Sequence, residues 1–247
     1  MHLILAILTI AVLIAISYLS EFRKRKLISD TAPDGAVIRY LPQSSEEMQE
    51  LSLPAVAVLP GTSRNVTRVE GYALPESLYY HQGHTWAAPQ KTGLVMVGVS
   101  EFAAKVLGAP TSIKLPRVGE TCRQGAPAFR LSRNGRALDM LSPLDGQVVA
   151  INGRVLDDPE TIVGEPYGNG WLLMVKPREL KSDLRNLISG AVARSWMEES
   201  AAALRSMFSP SLGLVFSDGG VPEAGVAARL DSKKWCALTQ RIFMVEP

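Results

Sequence analysis

Side chains able to do covalent, acid–base or metal chemistry are scarce in this chain. Of three histidines, His2 stands alone, and only His81 and His84 fall close together, in His81-Gln82-Gly83-His84. Paired metal ligands on one helix face need i, i+4 spacing, a proton relay needs a carboxylate alongside, and this pair has neither. A hydrogen-bonded structural imidazole in His84-Thr85-Trp86 is therefore a stronger expectation than an acid or base. Cys122 and Cys236 lie far apart and outside any C-x-x-C pattern, which points to two buried thiols rather than a disulfide framework or a thiolate metal site. What remains is a cationic pattern. Arg133 and Arg136 flank Asn134-Gly135, a pair that tolerates positive φ at both positions and so predicts a tight type I′ hairpin turn. Guanidinium forks at such a tip could grip an acidic partner or a phosphate, against the plainer alternative of a solvated basic turn. Arg133, Asn134, Gly135 and Arg136 are the candidate partner-binding residues. No catalytic residue, metal ligand or cofactor-binding residue is assigned, and no small-molecule substrate is expected.

The elements that must position this tip sit in a chain of 247 residues, 47% hydrophobic and 20% charged, which is ordinary globular composition for one medium domain with attachments. Twenty-six Lys and Arg against 24 Asp and Glu give a net charge of +2, too little to steer nucleic acid.

The chain opens on an uncharged apolar run, Leu3 to Leu19 (LILAILTIAVLIAISYL). At ~1.5 Å per residue it extends about 26 Å as a helix, close to the hydrocarbon thickness of a bilayer. No Lys or Arg precedes it, whereas Arg23-Lys24-Arg25-Lys26 follow directly. That order is the reverse of a cleaved secretory signal and keeps the C-terminal side in the cytoplasm. The expectation is an uncleaved single-pass anchor in the inner (cytoplasmic) membrane, residues 1–20, with the four cations also resting on anionic headgroups. Residues 21–70 then read as a basic juxtamembrane segment and spacer, broken by Asp34-Gly35, Leu41-Pro42 and Leu59-Pro60-Gly61.

From Tyr79 to Pro177 the texture becomes short apolar runs bounded by Gly and Pro. Trp86–Ala88, Leu94–Val99, Ala126–Leu131, Gly146–Ile151 and Trp171–Val175 predict strands of a sandwich or barrel. A short helix interrupts them over Ser100 to Leu107, with Ser100 as N-cap and Gly108 as the stop. A second small helix is predicted from Asp158 to Val163. Towards the C-terminus, Ala191 to Phe208 predicts a helix with Val192, Trp196, Met197, Ala201 and Leu204 on one face, and Asp231 caps a final helix, Ser232 to Phe243. A tryptophan in each of these helices predicts docking, either on the same chain or on a partner.

Five pieces in order resemble the glycine cleavage H-protein family: Gly83-His84-Thr85-Trp86, Gly98–Gly108, Leu115-Pro116-Arg117-Val118-Gly119, Ser142–Val148 and Pro166–Leu172. They span about Leu78 to Leu187. The resemblance implies a mainly β fold with flanking helices (α+β), a lipoyl-type β-sandwich or barrel-sandwich hybrid, over 71–187, followed by a helical C-terminal extension, 188–247. It also implies a hairpin presenting one lysine that carries lipoate in amide linkage and ferries an aminomethyl group or electrons between enzymes. The lysine position, counted back from Ser142, is occupied here by Gly135. No lysine occurs between Lys114 and Lys176, and the six arginines in that interval cannot replace it, because a guanidinium stays protonated and offers no acyl-accepting amine. The expectation is a non-enzymatic module without a cofactor, tethered to the bilayer through residues 3–19 and acting as scaffold or accessory subunit for protein partners in a membrane-associated complex. The alternative is a lipoyl or aminomethyl carrier using a lysine outside that hairpin, such as Lys91, Lys105 or Lys114.

Overall fold

The computed structural model describes residues 65–207 and 224–245. The apolar run 3–19, the basic quartet and most of the spacer lie outside the described residues, and no described helix is long and apolar enough to cross a membrane.

The first strands are β1 (Val66–Val69) and β2 (Tyr72–Pro75), a hairpin closed by Glu70 and Gly71 at φ 51° and 81°. It begins inside the stretch expected to be spacer. Next come β3 (Tyr79–Tyr80), β4 (Thr85–Pro89) and β5 (Val95–Val99). Every residue of β5 is buried, as a continuous apolar run without polar alternation requires. The ring of Trp86 is fully buried and lies over Gly98 of β5, where an added Cβ would stand 2.5 Å from the indole, so only glycine fits. Its indole nitrogen donates to the carbonyl of Val99 at 2.9 Å, satisfying the one polar atom of the ring.

Helix α1 (Glu101–Leu107) follows as expected. Ser100 accepts from the Ala103 amide at 3.2 Å, and Gly108, at φ 76°, stops the helix with its own amide bonded to Ala104. Beyond it lie β6 (Ser112–Lys114), β7 (Thr121–Cys122), β8 (Pro127–Arg133), β9 (Arg136–Leu141) and β10 (Gly146–Ile151). The small helix expected over 158–163 forms as two single turns, α2 (Arg154–Asp157) and α3 (Glu160–Gly164), before β11 (Leu173–Pro177). The strands form a six-stranded sheet, β3-β4-β5-β11-β10-β7, a three-stranded sheet, β6-β8-β9, and the β1-β2 hairpin. One continuous apolar core joins them, in agreement with the expected mainly β architecture with flanking helices.

The C-terminal elements are α4 (Leu180–Arg185), α5 (Gly190–Met207), one 3₁₀ turn (Val226–Arg229) and α6 (Ser232–Arg241). Asp231 caps α6 by accepting from the Lys234 amide at 2.8 Å. Both helices dock on the chain's own sandwich. From α5, Ala193, Met197, Ala201 and Leu204 are buried, and Arg194 and Arg205 pair with Glu76 and Glu70 of the first hairpin region. Val192, expected on the inward face, is instead 63% exposed, because the buried stripe runs i, i+4, i+8, i+11 from Ala193 and Val192 lies about 100° around the helix from it. From α6, Trp235 and Leu238 are buried, as are Ile242 and Phe243 just beyond it.

Candidate functional site

Past an irregularity between Pro127 and Phe129, the β8–β9 hairpin pairs in register up to its tip, Leu131 opposite Leu138 and Arg133 opposite Arg136, with a doubly hydrogen-bonded Arg130–Asp139 pair on its outer face at 2.6 Å. Two residues remain for the turn. Asn134 has φ 49° and Gly135 φ 73°, both positive as a type I′ turn demands. Both are exposed, and a Cβ on Gly135 would meet nothing within 4 Å.

The flanking arginines are spent within the molecule. Arg133 donates from Nη1 to the carbonyl of Ala109 at 3.2 Å, and its guanidinium lies against the backbone of Gly108 and within 3.3 Å of where a Cβ on Gly225 would stand. The Gly225 amide donates in turn to the carbonyl of Lys105 at 2.8 Å. Arg136 donates from Nη2 to the carbonyl of Leu230 at 2.6 Å, with its guanidinium carbon 5.6 Å from the centroid of the Trp235 ring. A cation over an indole adds roughly 0.5–1 kcal/mol at a half-exposed site. Arg136 thus holds Leu230 and Trp235 of the same chain, Arg133 holds Ala109 and packs against Gly225, and Asn134 and Gly135 of the turn face outward.

Of the lysines named from the sequence, Lys105 pairs with Glu101 at 2.7 Å along α1. Lys114 stands exposed on β6. Lys91 is exposed in the β4–β5 turn, which is closed by the bonds from the Gln90 amide to Leu94 and from the Gly93 amide to Gln90.

The two neighbouring histidines do not act together. His81 accepts the Gly83 amide on Nδ1 at 3.0 Å. His84 is fully buried, its Nδ1 3.0 Å from Ser100 Oγ, its ring stacked at 4.4 Å on Phe102 and flanked by Trp196 at 4.4 Å and Phe243 at 5.5 Å. Burial, and secondarily the neighbouring His81, pulls its pKa down from 6.5 to about 3, so the ring is neutral and structural. The sequence did not disclose that Trp196 of α5 and Phe243, just beyond α6, supply two walls of this aromatic box. Among the described residues no group of three or more His, Cys, Asp or Glu is placed to hold a metal ion.

Residues 78–200 match the family model for the glycine cleavage H-protein. The glycine cleavage system H protein of Hydrogenovibrio crunogenus is 35% identical over 127 residues, covering 51% of this chain and 98% of that protein. That of Thermobifida fusca is 37% identical over 112 residues, covering 45% of this chain and 88% of its own length. A crystal structure of a glycine cleavage system H protein from Mycobacterium marinum aligns at 30% identity and a TM-score of 0.45, over 51% of this chain and 99% of that one. The family model runs from just before β3 to residue 200 in α5, and the Hydrogenovibrio protein, 35% identical, is covered over 98% of its length; the chain belongs to the glycine cleavage H-protein family.

Proposed function

We propose that this chain is a bilayer-tethered H-protein-like module that carries no lipoate on its hairpin and serves as a non-enzymatic scaffold or accessory subunit of a membrane-associated protein complex. The observation that carries the reading is the tip itself. An acyl carrier needs a nucleophilic amine projecting from the turn, and here the turn is Asn134-Gly135, while the adjoining cations are bound to carbonyls of Ala109 and Leu230. The tether rests on residues 3–19 and the Arg23–Lys26 quartet, whose order favours a cytoplasmic C-terminal domain. Partners are proteins, reached by a domain whose fold has been kept without the lysine.

The test is fractionation of cells making the full chain. Under this reading it stays with membranes through an alkaline carbonate wash, and after mild detergent it migrates as a complex larger than one copy. Recovery in the soluble fraction as a monomer contradicts it. A second reading, a lipoyl or aminomethyl carrier acting through another lysine, is favoured by the exposed amine of Lys91 in the β4–β5 turn. It predicts a lipoyl adduct that disappears in Lys91→Arg.

A further inference from the structure

We propose that residues 225–243 form a releasable cap over the hairpin tip, an intramolecular ligand that keeps a peptide-binding face closed. The face consists of Lys105, Gly108 and Ala109 at the end of α1 together with Arg133 and Arg136 of the hairpin. Its chemistry is specific: Arg136 takes the carbonyl of Leu230 and lies over the Trp235 indole, while Arg133, held to Ala109 within the face, packs against Gly225. Such a face reads a segment that offers a main-chain carbonyl a few residues before a tryptophan, which Leu230 and Trp235 supply in cis.

Three features make the cap an opening unit. Among the described residues a single main-chain hydrogen bond, from the Gly225 amide to Lys105, ties it to the rest, and none of its residues pairs with a sheet. Helix α6 has ten residues, below the length at which a helix stands without tertiary support, so once detached it has little reason to stay folded. The β4–β5 and β5–β11 pairing around Trp86, Gly98 and Val99 uses no residue of the cap, which meets the aromatic core through Phe243 against His84 and Phe102. Local opening of a peripheral unit with few backbone ties, ahead of global unfolding, is the expected behaviour of such a segment. Opening frees the Arg136 guanidinium, uncovers that of Arg133 where Gly225 lies against it, and exposes the apolar surface that buries Val226, Leu230 and Trp235. The inference stands on these contacts and holds whether or not the chain carries lipoate.

The experiment compares the full wild-type chain with Trp235→Ala, which weakens the cap and leaves the face intact. Hydrogen exchange is expected to quicken at least tenfold across 226–243 while β4, β5 and β11 keep their protection. A fluorescent peptide with the wild-type sequence of 224–247 is expected to bind the variant at least tenfold more tightly than wild type, where the cis copy competes. Adding Arg136→Ala to the variant is expected to remove that gain. Exchange in the variant that rises in step across β5, β11 and the cap, or peptide binding no better than to wild type, overturns the proposal.

Discussion

Replacing Gly108 with alanine probes the packing beneath the hairpin tip, and Gly135→Ala supplies a matched control. Both glycines sit at positive φ, 76° and 73°. An L side chain there costs roughly 1–2 kcal/mol from backbone strain alone. At Gly135 nothing lies within 4 Å of the added carbon, so strain is the whole effect. At Gly108 the same carbon collides with the Arg133 guanidinium and comes within 2.9 Å of the Gly225 Cα, which must move. Overpacking of this kind adds about 1–3 kcal/mol. Gly108→Ala is therefore expected to lose about 2–5 kcal/mol, and Gly135→Ala about 1–2 kcal/mol, in urea unfolding followed by tryptophan fluorescence. A common m-value keeps the comparison to stability alone. Equal losses for the two variants would refute the close approach of Arg133 and Gly225 to the end of α1.

Two further predictions concern the aromatic box. Because the folded-state pKa of His84 is depressed from 6.5 to about 3, the unfolded chain binds more protons between those values. Stability then rises with pH across that window, and acidification from pH 6.5 to 3 costs up to a few kcal/mol. His84→Leu should flatten this part of the pH profile while costing about 1–3 kcal/mol at pH 7, because Ser100 Oγ loses its buried Nδ1 partner; an unchanged slope would contradict it. Ser100→Ala removes both the cap of α1 and the contact to His84 Nδ1, and is expected to cost about 1–3 kcal/mol in thermal unfolding, whereas a neutral effect would place the cap elsewhere.

The contrast between legible and hidden features has physical causes. Asn134-Gly135 could be read as a tight turn because positive φ at two successive positions selects those residue types, and Ser100, Gly108 and Asp231 were equally plain as helix boundaries. The turn between β1 and β2 uses the same geometry but places Glu70 at φ 51°, a residue that seldom adopts it, so the sequence carries no turn signal there and β1 falls in the stretch expected to be spacer. Val192 of α5 faces solvent because the buried stripe runs through Ala193, Met197, Ala201 and Leu204, and one residue of offset turns Val192 about 100° away from it. The hardest feature to foresee was the occupation of the tip. Arg136 and Leu230 are 94 residues apart, and nothing local to either announces the other. Local chemistry thus located the hairpin, while the partners of its arginines were set by tertiary docking of the C-terminal segment.

Whether this hairpin bears a covalent cofactor separates a scaffold from a carrier. The most direct measurement is the intact mass of the full chain purified after co-expression with a lipoate ligase, with a lysine-bearing H protein from the same cells as the positive control. The predicted result is the mass of the unmodified polypeptide alongside a fully lipoylated control. A lipoyl increment on this chain, mapped by peptide sequencing to any of its lysines, would contradict it.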